Sequence, residues 1–212
     1  MERDLTIAAA DMEFHARQRG APPRTVFLHG FAADLHTWDT VWSQFEEPEQ
    51  ALRYDLRGFG GSVPGGCKPF VHADDLLAIL DATGIKTVNL VGVSMGGSVA
   101  LNFALDHPER VRKLVLVSPR LVGWEWSDAW QDLWQPIVEL ARSGDMGGAR
   151  ELWWRHPLFA STRDGAAGSA LREAIMRFDG AQWVSDYHRP ILPDVERLYR
   201  LATPTLLLTG GL

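Results

Sequence analysis

Gly92-Val93-Ser94-Met95-Gly96 has the spacing G-x-S-x-G, which sets a serine between two glycines at a turn from strand to helix. TVNLVGV, which leads into Ser94, is strand-like, and the GGSVALNFALDHP that follows is rich in small and apolar residues that suit a helix. At such a turn the serine backbone is strained, and Gly92 and Gly96 let strand and helix approach more closely than side chains would allow. The hydroxyl is pushed out at the carboxyl edge of the sheet, over a helix N-terminus that favours developing negative charge. The chemistry that fits is nucleophilic attack by Ser94 on a carbonyl carbon.

Such an attack needs donors for the oxygen that becomes negative. One is the N–H of Met95, directly after the nucleophile. A second is expected from FLHGF, Phe27 to Phe31, where the N–H of Phe31 would oppose that of Met95. His29 could serve as a base, but a histidine at a strand end beside glycine more often bonds to backbone and holds a loop. A serine hydroxyl also needs a histidine to take its proton and an acid to orient that histidine. Downstream of Ser94 stand His107, His156 and His188. His107 ends the helix that starts at the serine, roughly 20 Å away at ~1.5 Å per residue. His156 in WWRHPLF and His188 in DYHRP fall in a later helical stretch, where structural or substrate-binding roles are expected. Glu125 and Asp128 are the nearest acids after the strand ending near Ser118, and neither follows it directly.

These residues need a scaffold that gathers strand ends. Runs rich in Val and Leu at 24–30, 51–58, 87–93 and 112–118 read as parallel strands buried on both faces, with 204–210 a fifth. Helical stretches at 37–46, 72–83 and 95–107 lie between the first four, which predicts a mostly parallel α/β sheet with right-handed crossovers. Ahead of them, LTIAAADMEFHARQRG suits an N-terminal hairpin. After Pro119 the alternation stops until Thr203, and seven of the nine tryptophans (124, 126, 130, 134, 153, 154 and 183) fall in that interval. In SDAWQDLWQPIVELARSG, Trp130, Trp134, Ile137, Val138 and Ala141 lie close to one helical face. Its tryptophans either form a core or, in a helical lid over the strand ends, also line a pocket. The expected organisation is a core at 1–119, a helical lid insertion at 120–190, and a return at 191–212 through a helix and a strand. Trp124, Trp153 and Arg155 are the substrate-binding candidates of the lid, and Arg120 and Arg155 are cations that could meet a carboxylate.

LHGF, DLRGFGGS (Asp55 to Ser62) and GVSMGG (Gly92 to Gly97), in this order and spacing, resemble the α/β-hydrolase superfamily over nearly the whole chain. The resemblance implies Ser94 as nucleophile, Phe31 and Met95 as oxyanion hole, Gly92 and Gly96 as the elbow's structural glycines, and residues near 120–200 as the lid. Asp55 to Ser62 is expected to be a structural turn. The implied triad order is serine, acid, histidine, with the acid in the loop after TPTLLLTGG and the histidine after one further strand. Both positions fall beyond Leu212, so a longer hydrolase is expected, with its last strand and helix, roughly fifty residues including loops, lying outside this chain. TLLL would then be an exposed edge, open to pairing with a second copy or another chain.

The implied activity is hydrolysis of an ester, lactone or carbon-carbon bond of a small organic substrate. GVSMGG and WWRHPLFAS are also similar to the menaquinone-pathway lyase that eliminates pyruvate, though that family tends to carry an arginine directly after Gly-Gly, where this chain has Ser98. Dehalogenases need a carboxylate at the nucleophile position and are disfavoured by Ser94. A third reading is a catalytically incomplete fragment that needs the missing segment or a second chain.

Composition speaks against nucleic acid and membrane as partners and leaves the small-molecule substrate that the resemblance implies. A net charge of −6 with scattered arginines gives no basic face for nucleic acid. The single Cys67 cannot form an intramolecular disulfide, and no Cys/His spacing suggests zinc. No apolar run of about eighteen residues suits a membrane and the N-terminus lacks a signal-peptide core, so a cytoplasmic protein is expected. No G-x-G-x-x-G follows the first strand to hold a dinucleotide, and an activated serine with two backbone donors requires no cofactor or metal.

Overall fold

A computed structural model describes residues 2–44, 50–190 and 192–210. The chain divides into two units, one of Met1–Trp124 with His188–Leu212 and one of Glu125–Tyr187.

In the first unit, alternating burial along Glu2–Ala9 (β1) and Met12–Arg19 (β2) makes the N-terminal antiparallel hairpin, with Ile7 opposite Phe14. β2 lies antiparallel to Ala51–Tyr54 (β4). From there all pairings are parallel: β4 with Thr25–Leu28 (β3), β3 with Val88–Val93 (β5), β5 with Val111–Val117 (β6), and β6 with Thr205–Leu208 (β7). The sheet order is β1-β2-β4-β3-β5-β6-β7.

All four residues of β4 are buried, as expected for a strand covered on both faces. Its Arg53 donates to the Leu35 carbonyl at 3.1 Å and to Asp39 at 2.5 Å. Between the strands run Asp39–Ser43 (α1), His72–Ala82 (α2) and Met95–Asp106 (α3). Asp74 and Asp75 stand in the first turn of α2, where the helix dipole favours acids, and Leu76, Ile79 and Leu80 face inward. α3 is buried continuously from Gly96 to Ala104, so its lack of a polar face marks it as a central helix.

Three expectations need correction in this unit. The helix expected over 37–46 is a 3-10 turn at Leu35–Trp38 followed by α1, and residues 45 and 46 lie outside the described residues. The return is not a helix but two 3-10 turns, Asp194–Glu196 and Leu198–Arg200. Pro193 enters the first turn, and Arg197 between them has φ −117°, outside the helical range. Arg197 and Asn102 both donate to Asp194, at 3.0 and 2.9 Å, which pins this segment to α3. Finally, β7 is not buried on both faces but lies as the exposed edge expected of TLLL: Leu206, Leu207 and Leu208 are 53%, 58% and 46% exposed. Among the described residues it has β6 on one side and no strand on the other.

The second unit is helical: Asp128–Arg142 (α4), Met146–Trp154 (α5), Ala160–Arg163 (α6), Gly168–Arg177 (α7) and Ala181–Val184 (α8). Ser127 caps α4 by accepting from the Trp130 N–H at 3.3 Å, and Asp145 caps α5 by accepting from Gly148 at 2.8 Å. Ile137, Val138, Ala141, Trp153, Ile175 and Trp183 form its buried interior. Its limits at 125 and 187 fall inside the 120–190 expected from the sequence.

Candidate active site

β5 ends between β3 and β6, with Leu28 paired to Gly92 and Val93 paired to Val117. The next residue, Ser94, turns the chain into α3 with φ 53° and ψ −113°. A non-glycine residue at positive φ is strained and persists only where its surroundings hold it. Here the Ser94 N–H donates to Val117 at 2.9 Å, and its carbonyl accepts from Ser98 at 3.0 Å and Arg120 at 3.2 Å. A Cβ on Gly92 would overlap the Gly96 carbonyl, and one on Gly96 would overlap the carbonyl of Leu28. The flanking glycines are therefore required by backbone contact. The Ser94 side chain makes no cap bond to α3, which leaves its hydroxyl for other work.

Met95 opens α3, so its N–H has no acceptor within the helix. The loop after β3 comes close on the other side: a Cβ built on Gly30 would stand 3.6 Å from the Ser94 Cβ. Phe31 follows Gly30, and its ring meets Phe59 edge-on at 5.8 Å. Of the two residues expected as oxyanion donors, Met95 follows the serine directly and Phe31 follows the glycine that approaches it.

His29 holds this loop and is not a base. It is completely buried, its Nε2 accepts from the Leu56 N–H at 2.9 Å, and its Nδ1 therefore donates to the Gly30 carbonyl at 2.8 Å. Both ring nitrogens are in use, and burial pushes its pKa below the ordinary histidine value.

Asp55 organises the neighbouring turn. One oxygen accepts from the Leu35 N–H at 2.7 Å; the other accepts from Gly61 and from His15 Nδ1, each at 2.8 Å. Ser62 Oγ accepts from the His15 N–H at 3.0 Å. Asp55 to Ser62 is a structural turn, as its sequence suggested.

The remaining candidates are dispersed. His107 caps the end of α3 opposite to Ser94. His188 meets His72 with tilted rings whose centroids are 4.6 Å apart, and pairs through backbone with Phe70. His156, Glu125 and Asp128 belong to the helical unit, where His156 Nδ1 accepts from the Leu158 N–H at 3.1 Å. Trp153 is overturned as a substrate contact: it is 3% exposed and packed in the helical unit's own interior against Trp134, His156 and Phe159. Trp124 is 69% exposed, and Arg155 is exposed and paired with Glu151 at 3.0 Å.

Two features went unread in the sequence. His72 is buried with its Nδ1 unpartnered among the described residues, and only its place on the α2 face that carries Leu76 and Ile79 hinted at burial. Ser118 has a φ of 44°, for which no residue type gives a signal. Among the described residues, no helix is long and apolar enough to cross a membrane, and no three or more His, Cys, Asp or Glu cluster as metal ligands would.

A family model described as alpha/beta hydrolase fold matches residues 23–143. The 2-succinyl-6-hydroxy-2,4-cyclohexadiene-1-carboxylate synthase of Salmonella typhimurium is 30% identical over 219 residues, covering 94% of this chain and 82% of that protein. The 2-hydroxy-6-oxo-6-phenylhexa-2,4-dienoate hydrolase of Comamonas testosteroni is 31% identical over 129 residues, 58% of this chain and 44% of that one. A solved hydrolase from Pseudomonas aeruginosa superposes with a TM-score of 0.79 at 25% identity, covering 98% of this chain and 80% of its own. The chain spans less than half the length of several curated relatives it matches, from 29% to 49%.

Proposed function

The chain belongs to the alpha/beta hydrolase fold family, and from that premise we propose that it is a serine hydrolase acting on an ester, lactone or carbon-carbon bond of a small organic substrate. The observation that carries this reading is Ser94 at φ 53°, strained between two strand ends with its side chain unused as a helix cap.

In the proposed reaction a histidine base, oriented by an acid, takes the Ser94 proton as Oγ attacks the substrate carbonyl carbon. The carbonyl π pair moves to oxygen, which accepts from the N–H groups of Phe31 and Met95; each such donor is worth about 3 kcal/mol in the transition state. Collapse of this intermediate breaks the bond to the leaving group, which takes the proton back from the base. Water, deprotonated by the same base, then releases the acyl group and restores the hydroxyl. His29 is ruled out as that base, since both its nitrogens are engaged.

A second reading, a lyase that eliminates pyruvate, is favoured by the 94% coverage of this chain by the Salmonella synthase. Ser98, buried on α3 where that family tends to carry arginine, weighs against it.

A fluorophosphonate probe tests the nucleophile. Rapid covalent labelling, mapped to Ser94 by mass spectrometry and lost in Ser94→Ala, is expected. A folded protein that never labels would sink the reading and leave a non-catalytic module.

A further inference from the structure

The two flanks of Ser94 are chemically different. On the β3 side stand the backbone donors of the Gly30–Phe31 loop. On the β6 side Val93 pairs with Val117, the residues just before Ser94 and Ser118, and the Ser94 N–H donates to the Val117 carbonyl at 2.9 Å.

Ser118 shares the nucleophile's strain, with φ 44°, a region glycine enters freely and serine does not. Three neighbours hold it there. Its N–H donates to Leu208 at 2.8 Å, and the Arg120 N–H donates to the Ser94 carbonyl at 3.2 Å. Pro119 packs on the first turn of α3, where a Cβ on Gly97 would come within 3.0 Å of its Cβ. A serine kept only for the turn would bond its hydroxyl to nearby backbone. Among the described residues the Ser118 hydroxyl makes no hydrogen bond, and the residue is exposed.

We propose that Ser118 is a specificity-determining residue whose hydroxyl hydrogen-bonds an oxygen on the acyl-side carbon next to the carbonyl that Ser94 attacks. The inference rests on Ser94 as nucleophile and names the substrate class: 2-alkoxy, 2-hydroxy or 2-oxo acyl compounds. The oxyanion points to the β3 flank, so the substituent opposite it meets the β6 flank. There Ser118 offers one donor and two acceptor lone pairs, enough for an ether, hydroxyl or keto oxygen.

The test uses two esters of nearly the same shape, p-nitrophenyl methoxyacetate and p-nitrophenyl butanoate. Each kcat/KM is divided by the ester's own hydroxide rate, which removes the difference in intrinsic reactivity. Wild type should favour the methoxyacetate by about tenfold, the scale of one hydrogen bond. The ratio should fall to about one in Ser118→Ala and survive in Ser118→Thr. Ser118→Gly should lose it too while melting higher, because glycine adopts this backbone without strain, so a folding defect cannot account for the loss. A wild-type ratio near one, or a ratio unchanged in Ser118→Ala and Ser118→Gly, overturns the proposal. If wild type shows no preference yet labels at Ser94 with fluorophosphonate, this inference fails alone; if it neither labels nor cleaves, the nucleophile reading fails with it.

Discussion

In the sheet-bearing unit, buried polar side chains bridge separate pieces of chain. His29 joins Gly30 to Leu56, Asp55 joins Leu35, Gly61 and His15, and Arg57 grips Asp75 with two bonds of 2.8 and 2.5 Å. In the helical unit the interior is mostly aromatic and aliphatic, with Trp153 against Trp134 and Phe159, Trp183 edge-on to Phe178 at 4.8 Å, and His156 the buried polar residue among them. Hydrogen bonds fix atoms to within tenths of an ångström, whereas apolar area only requires that volumes fit. The unit that carries Ser94 adds bonds of the directional kind to an apolar core that includes Phe14, Leu28, Leu52 and Phe103.

The largest expected effect lies in the helical unit. Trp183 is 1% exposed, and Trp183→Ala should cost about 3–5 kcal/mol in urea denaturation, with Trp183→Phe restoring more than half. A loss under about 1 kcal/mol would break the view that aromatic area holds this unit.

Next comes Asp55→Ala, which strands two backbone donors and the His15 ring at once and should cost about 3 kcal/mol. Asp55→Asn keeps one acceptor and should cost roughly half as much. Equal losses for the two variants would show that volume, not bonding, matters there.

Acid separates the units further. Burial holds His29 and His72 below the ordinary histidine value, with the neighbouring His188, His29 and Arg57 charges adding to the effect at His72. In the helical unit, burial and then Arg163 shift His156 the same way. The unfolded chain takes up these protons near pH 6.5 while the folded chain resists them, so the stability these groups contribute is present above about pH 6.5 and lost as pH falls below it. The slope reaches about 1.4 kcal/mol per pH unit for each such histidine, so the sheet-bearing unit, with two, should lose more. His72→Phe should flatten its dependence between pH 6.5 and 5, read by hydrogen exchange in β4 and α3. An unchanged slope would remove His72 from the account.

The smallest effect is expected at Arg155, whose side chain is 71% exposed. Arg155→Ala should shift stability by no more than about 0.5 kcal/mol, as measured by thermal melting. A larger change would mean that this exposed ion pair does more than its geometry suggests.

The same contrast governs what could be read from the residues. Period and punctuation place β3 to β7, α2 and α3 to within a few residues, because one burial pattern and one turn signal mark each element. Ser94 and its glycines were legible for a sharper reason, since backbone contact at Gly92 and Gly96 admits no other residue type. The return segment was misread because RPILPDVERLYRL carries a helix-like spacing of Val195, Leu198 and Leu201, while its real anchor is Asp194 bonded to Asn102, 92 positions away. Trp153 was misassigned because an aromatic residue fills a core or lines a pocket with the same composition. Ser118 left no trace, since its left-handed backbone is imposed by Leu208, Pro119 and Arg120 and not by its own type.

Asp55 also sets an order of events in time. Its partners stand 6, 20 and 40 positions away, so only the Gly61 bond can form by local closure, and the others wait for larger loops to close. Until β2 lies against β4, dehydrating that carboxylate would cost more than one bond returns. The turn is therefore expected to stay hydrated until the antiparallel hairpin has docked on the parallel strands, and stopped-flow refolding of Asp55→Asn should show folding slowed less than the finished structure is weakened. On that expectation the hub would be a late lock on the nascent sheet, one that closes only on the right strand neighbours.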